Sequence, residues 1–201
     1  MLYGYVPLRP AGFYRPFVAI WTPSKVALDR QMRSLWAQHI YWTRLAVNSI
    51  AGRLPDEQPT VERLLQNAQD FADAFRPYYG DAAAGRFGEL MRSHLTIAAE
   101  VVKALRDNRT EAAADAQKRW YANADEIAVF LGRINPFWSA AEWRNMMRQH
   151  LQLLTREVTT RIAGQYAENV ATNKGIEAQA MEMADKMTSG IIRQFPARFM
   201  R

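Results

Sequence analysis

Three histidines are the residues whose type and spacing most suggest chemistry in this sequence. His39, His94 and His150 lie 55 and 56 residues apart, and the chain contains no cysteine. Imidazole is the side chain that titrates nearest neutral pH, and it is a common metal ligand. The histidine segments, LWAQHI, LMRSHL and MMRQHL, share one pattern, and each has a valine eight positions after its histidine. The spacing predicts a repeated unit of about 55 residues with one histidine at an equivalent place in each copy.

The residues around the histidines predict that these side chains point inward. Leu35 and Trp42 lie at helical spacing from His39, so the imidazole falls on the apolar face of a helix. Asparagines occupy matching apolar faces in two intervening segments, and Glu157 enters the third face. The predicted ligand-binding set is His39, His94, His150, Asn67, Asn123, Glu157, Trp42 and Trp120.

This set has three interpretations. Buried imidazoles paired with Asn, Thr or water would be structural, because a buried polar group needs a hydrogen-bond partner. Three imidazoles converging on one ion would bind a metal, although stacked repeats would hold them too far apart and no Glu-x-x-His occurs. A pocket lined by the histidines and tryptophans would bind a small molecule. We assign no metal and no cofactor, and keep a ligand- or metal-binding bundle as the alternative function.

Catalytic signatures are missing from the sequence. There is no GxSxG, HExxH or Walker motif. His150 paired with Glu157 would act as a general base only if a cleft exposed the pair. The sequence therefore favours a non-catalytic protein.

The first 23 residues differ from the rest of the chain. Four prolines oppose a long helix, no acid occurs before Asp29, and six aromatic residues are present: Tyr3, Tyr5, Phe13, Tyr14, Phe17 and Trp21. Such a segment is too aromatic for a solvated linker. We predict an extended arm that docks on a neighbouring copy and forms a homo-oligomer or filament. Docking on its own body, on a foreign partner or on an anionic surface are the alternatives.

Helical signals fill the remainder. They predict six helices, over residues 24–51, 60–76, 81–106, 110–133, 139–164 and 176–194, with Ser24 and Ser139 as N-caps. No period-two alternation predicts a strand. The fold class is an all-α bundle of three repeated hairpins over residues 24–196, followed by a basic tail, 197–201. In the third copy, the segment Ala180–Met187 aligns with the segments around Asn67 and Asn123.

Charge and hydropathy narrow the partners. The net charge is +6, and both ends are basic while residues 34–185 carry a net charge of −2. This is not the basic stripe of a nucleic-acid-binding protein. No apolar run approaches the ~20 residues that span a bilayer, and no secretory signal is recognised. The sequence does not identify the compartment; we expect a cytoplasmic protein by default, and a surface or extracellular location is open if it assembles.

Several segments carry a family resemblance. LWAQHIYWTR, KRWYANADEIAVFLGRINPFW, HLQLLTREVTTRI and GIIRQFP, within residues 30–196, resemble a family of small uncharacterised proteins of spore-forming bacteria that often carry the automatic label acetylglutamate kinase. The resemblance implies an all-helical fold and no activity. The kinase label does not suit this sequence, because it has neither a strand pattern nor a glycine-rich phosphate loop.

Overall fold

The computed structural model describes residues 21–200, and in that range the chain is helical with no strand. Five of the six aromatic residues of the predicted arm, Tyr3 to Phe17, lie outside the described residues. The elements are α1 (Pro23–Gly52), α2 (Glu57–Arg106), α3 (Thr110–Ile134), α4 (Ala140–Ile162), α5 (Tyr166–Gln194) and a short 3-10 helix (Pro196–Phe199). The predicted all-α class is confirmed.

Helix α1 begins one residue earlier than predicted, at Pro23. Thr22 rather than Ser24 is the N-cap, and its hydroxyl accepts a hydrogen bond from the Lys25 amide at 3.4 Å. Pro23 then occupies the first turn, where its missing N–H costs nothing. At the other end, Arg53 adopts a left-handed conformation (φ 51°) and its N–H bonds back to the last turn.

The six separate helices are not confirmed, because the predicted second and third helices form one element. Only Gly80 within α2 leaves the helical conformation, with φ 76° and ψ 174°. Glycine accepts this positive φ without steric cost. Pro77 lies inside the element, and helix resumes at Asp81 without an intervening loop. The break divides α2 into a first half, residues 57–79, and a second half, residues 81–106.

Helix α5 is ten residues longer than predicted. Ser139 caps α4 as expected, accepting from the Glu142 amide at 3.3 Å, and α4 ends at Ile162. Asn173-Lys174-Gly175, which predicted a break, lies inside α5. Asn169 and Asn173 donate to the backbone and side chain of Glu157 on α4, at 2.7 and 3.0 Å. These bonds hold the segment helical against the cost of about 1 kcal/mol for an interior glycine.

The helices close into a ring. Each helix packs against the next in sequence, and α5 packs against α1. Trp138, between α3 and α4, reaches across to α5, where its indole N–H donates to the Lys186 carbonyl at 3.0 Å. None of the helices between residues 21 and 200 has an apolar stretch that could cross a bilayer.

The C-terminal segment packs on the bundle. Phe199 is buried and stacks on Tyr78, with ring centroids 5.9 Å apart. Its carbonyl accepts a hydrogen bond from the Thr22 hydroxyl at 2.9 Å. The two ends of the described chain are therefore tied together at one point.

Candidate functional site

One amide side chain bonds to each histidine and to a carbonyl of the same helix, in the same way in all three cases. Nδ1 of His39 lies 3.1 Å from Asn67 Oδ1, Nδ1 of His94 lies 2.8 Å from Asn123 Oδ1, and Nδ1 of His150 lies 2.9 Å from Gln179 Oε1. In each case the amide NH₂ donates to the carbonyl four residues before the histidine. These carbonyls belong to Leu35, Leu90 and Met146, at 3.1, 3.1 and 2.9 Å.

The amide fixes the tautomer of the ring. A carbonyl can only accept, so the NH₂ group must face it and the amide oxygen must face the imidazole. Nδ1 of each histidine therefore carries the hydrogen, and Nε2 is left as an acceptor. The arrangement positions three neutral imidazoles in one orientation relative to their helices.

The three rings lie close together in the core. All three histidines are at most 2% exposed. His39 and His150 have ring centroids 5.8 Å apart, and Trp36 packs edge-on against both at 5.3 and 6.4 Å. His94 packs against Trp120 at 5.5 Å. Closure of the helices into a ring, with α5 against α1, thus brings His39 and His150 together although they are far apart in sequence.

Burial keeps these imidazoles neutral. Loss of hydration, with a smaller effect from the proximity of His150, lowers the pKa of His39 and of His94 to about 3. Burial also lowers the pKa of His150. A proton on one ring would raise the cost of a proton on the next.

Some buried polar atoms in this region have no hydrogen-bond partner among the described residues. Nε2 of His150 is one of these atoms. The same holds for the indole nitrogens of Trp36, Trp120 and Trp143. The adjoining apolar cavity, bounded in part by Thr43, Leu64 and Trp120, measures about 20 Å³. That is near the size needed for one water and far below the ~300 Å³ of a small ligand pocket. In residues 21–200, no three His, Asp or Glu side chains are arranged to hold a metal ion.

Glu157 lies apart from the histidines. It is seven residues beyond His150 on α4, which is about 10 Å along the helix. Its buried carboxylate accepts from Arg44 Nη1 at 3.2 Å and from Asn173 Nδ2 at 3.0 Å. Burial raises its pKa, while Asn173 and Arg44 oppose that rise. The structure therefore gives Glu157 a role between α1, α4 and α5 rather than in the histidine cluster.

The two predicted tryptophans have different places. Trp120 contacts His94, as described. Trp42 is half-buried beneath the Arg63 guanidinium, 5.2 Å from the ring centroid, and is not brought to the histidines. The tryptophan beside His39 and His150 is Trp36, which sequence reasoning missed. Gln179 was also missed, although its distance of 29 residues from His150 equals that of Asn123 from His94.

A groove marks the place where the arm leaves the bundle. Trp21, the one arm aromatic among the described residues, is 56% exposed. It lines a groove of about 510 Å³ between the start of α1 and the end of α5. No protein-family model, curated protein or solved structure matches this chain.

Proposed function

We propose that this chain is a non-catalytic self-assembly protein whose N-terminal arm docks on a neighbouring copy to form an oligomer or filament. The observation that carries the proposal is the fixed root of the arm. Thr22 caps α1 and also bonds the Phe199 carbonyl, while Trp21 beside it stays exposed at the mouth of a groove. An apolar, aromatic segment that is attached to the bundle at a fixed point is suited to contact another molecule.

The composition of the arm supports the same function. Each aromatic ring buries roughly 150–250 Å² when it docks, so the rings of residues 1–20 offer a large apolar area. Prolines reduce the freedom of the free segment and thus the entropy lost on docking. Arg9 and Arg15 suit a body whose residues 34–185 carry a net negative charge.

We also propose that the bundle consists of three copies of a helical hairpin, six helical segments in all. The repeated histidine–amide–carbonyl contact supports this, as does the spacing around it. Twelve residues separate His94 from Arg106 and His150 from Ile162, and three-residue connections follow in both cases. Buried alanines follow each amide in turn: Ala68, Ala124 and Ala180. In this alignment Gln179, not Met183, is the residue equivalent to Asn67 and Asn123.

A second candidate function is a ligand-binding bundle that uses the histidine cluster. The unpartnered Nε2 of His150 favours it, since a bare imidazole nitrogen can accept a hydrogen bond or ligate a metal. Equilibrium dialysis of the purified protein against Zn²⁺ and Ni²⁺, with His150→Leu as the control, tests this candidate. Retention of metal by the wild type alone would support it.

The test of self-assembly is the oligomeric state with and without the arm. A deletion should remove only residues 1–20, because Thr22 is needed to cap α1. At ~100 µM, where mass action favours association, light scattering should show an oligomer for the full chain and a monomer for the deletion. Far-UV circular dichroism should show that the full chain and the deletion have the same number of helical residues.

A matched variant separates aromatic docking from arm length. It keeps all 201 residues and every proline, and replaces Tyr3, Tyr5, Phe13, Tyr14 and Phe17 by serine. We expect it to be monomeric like the deletion. A full-length wild type that is already a monomer at this concentration would overturn the proposal.

A further inference from the structure

We infer that the groove between α1 and α5 is the site that receives residues 1–20 of a neighbouring copy. This inference rests on the proposed self-assembly and adds the identity of the receiving surface. We call this surface the α1–α5 groove. It comprises two hollows along the same helix pair, one at Trp21 and Ile192 and one at Tyr41 and Met181.

The two hollows follow one face of each helix. Their α1 residues recur every three or four positions, from Lys25 to Arg44, and their α5 residues run in the opposite direction, from Arg193 to Asn173. The hollows measure about 510 and 340 Å³. At 1.5 Å per residue, the α1 side is about 35 Å long from Trp21 to Arg44. The surface is an elongated trough, which suits an extended peptide better than a compact ligand.

The lining offers apolar and acidic groups together. Ile40, Tyr41 and Met181 give the second hollow an apolar wall, and Tyr41 is 57% exposed. Trp21 and Ile192 do the same for the first hollow. Grooves lined by aromatic side chains are a common recognition surface for proline-rich segments, and the apolar walls would also receive the Tyr and Phe rings of the arm.

The charges in the groove fit an arm whose only charged side chains are arginines. Asp29, Asp185 and Glu177 line the groove, and Glu177 is exposed. Several of the lining bases are already engaged within the body. Arg33 bridges Asp29 and Asp185, Arg44 binds the buried Glu157, and Arg193 lies 4.2 Å from the Phe137 ring centroid. Arg9 and Arg15 would find an acceptor at the exposed Glu177, and a second at Asp185, whose side chain is 50% exposed although Arg33 binds it.

Length and turn chemistry favour the groove of another copy. Twenty residues in an extended, proline-rich form span about 60 Å, which covers the groove and leaves a connection between two bodies. Entry into its own groove would require the chain to reverse beside Trp21. The preceding residues, Phe17-Val18-Ala19-Ile20, contain no Gly, Asn, Asp or Pro, the residues that form tight turns. Val and Ile favour continued extension, which would carry the arm away from its own body.

Cysteine cross-linking tests the contact directly, because the chain has no cysteine of its own. One variant carries Phe13→Cys in the arm, and a second carries Ser189→Cys in the groove. After the two are mixed and oxidised, we expect a covalent heterodimer. The matched control replaces Ser189→Cys by Ser93→Cys, an exposed helical serine outside the groove; it should give at least tenfold less heterodimer.

Blocking the groove tests whether the contact is required. Ala37 and Ser189 are exposed groove residues, so Ala37→Arg and Ser189→Arg add bulk without disturbing the core. Each should raise the apparent dissociation constant of the assembly at least tenfold. Ala112→Arg and Ser93→Arg, at exposed positions elsewhere, should leave it unchanged.

The outcomes separate the two proposals. A monomeric wild type overturns self-assembly itself. A wild type that assembles through its arm, but assembles equally well with Ala37→Arg and Ser189→Arg and gives no Phe13→Cys/Ser189→Cys cross-link, overturns only the α1–α5 groove. A cross-link that forms within one chain carrying both cysteines, with no heterodimer in the mixture, shows that the arm docks on its own body and also overturns the inference.

Discussion

At the scale of single residues, one amide side chain accepts the Nδ1–H of each buried histidine, while Nε2 of His150 keeps no partner among the described residues. The amide receives the Nδ1–H and passes its own hydrogen to a helix carbonyl, as in the contact of His94 with Asn123 and Leu90. This pairing offsets part of the cost of burying a polar ring. It does so only for the neutral form, because a second ring proton would lie in an apolar interior.

The first prediction is a loss of stability in acid. In the unfolded chain histidine titrates near pH 6.5, whereas burial holds the pKa of folded His39 and His94 at about 3. Between these values the unfolded state binds more protons, so the free energy of unfolding falls as pH falls below about 6.5. Each histidine contributes a slope of up to about 1.4 kcal/mol per pH unit. Urea unfolding at pH 7.5, 6 and 5 measures this effect.

A matched variant isolates the histidine contribution from that of the carboxylates. His94→Leu removes one titrating ring, so its stability should depend less steeply on pH than that of the wild type. Glu157 acts in the opposite direction, because burial raises its pKa and its protonation favours the folded state as pH falls. If the wild type and His94→Leu lose stability equally between pH 7.5 and pH 5, His94 is not buried as a neutral ring.

The second prediction concerns the coupling of His94 with Asn123. Asn123→Leu leaves the buried Nδ1–H without an acceptor and should cost about 1–3 kcal/mol. Adding His94→Leu removes that stranded donor, so the double variant should be less destabilised than the sum of the single variants. A double-mutant cycle by chemical denaturation measures the difference. Strictly additive effects would contradict the hydrogen bond.

Sequence reasoning reached the histidines and asparagines because apolar periodicity reports which helix face is buried. It missed Trp36, although Trp36 lies three residues before His39 on α1; the contact of Trp36 with His150 depends on the crossing of α1 and α4, which the pattern does not report. Gln179 was within reach of the sequence. Aligning the third copy by residue letters favoured Met183, whereas each histidine lies 28 or 29 residues before its amide, a spacing that selects Gln179 after His150.

At the scale of elements, Trp138 and Gly190 lock the connection between α3 and α4 onto α5. The indole lies directly on Gly190, where a side-chain Cβ would overlap the ring. The neighbouring bond from Trp138 Nε1 to the Lys186 carbonyl fixes the ring in place. Glycine is therefore required here for close approach.

The third prediction follows from this contact. Gly190→Ala should destabilise the protein by about 1–3 kcal/mol or more, as overpacking of a filled core does. Gly85→Ala is the matched control, since that helical glycine has open space around it and alanine should stabilise by about 0.5–1 kcal/mol. Thermal unfolding of both variants gives the comparison. A neutral Gly190→Ala would mean that the indole does not occupy this place.

Helix boundaries were predicted well where the signal was local and poorly where a distant contact decided. Ser139 caps α4 because its hydroxyl meets an amide three residues away. The Asn173-Lys174-Gly175 segment resembles a turn locally, yet Asn173 bonds to Glu157 and the helix continues. Pro77 likewise predicted the end of a helix, and the chain instead yields at Gly80.

At the scale of the whole molecule, closure decides what the repeated histidines become. In an open stack of hairpins, equivalent residues would lie too far apart to interact. Here α5 packs against α1, and His39 and His150 come to 5.8 Å between ring centroids. The choice between stack and ring depends on small angles between helices, which the sequence pattern does not report.

The fourth prediction is that the closed ring folds as one unit. A solenoid tolerates loss of a terminal repeat, because each repeat contacts only its neighbours. Ending this chain at Ile134 would instead remove α4 and α5, both of which pack against α1, and would expose Trp36 and His39. We therefore expect the shortened chain to lack a cooperative urea transition, whereas deletion of residues 1–20 should preserve one. A sigmoidal transition with a normal slope in the chain ending at Ile134 would mean that the first four helical segments form an independent unit, and that closure is not what holds the histidines together.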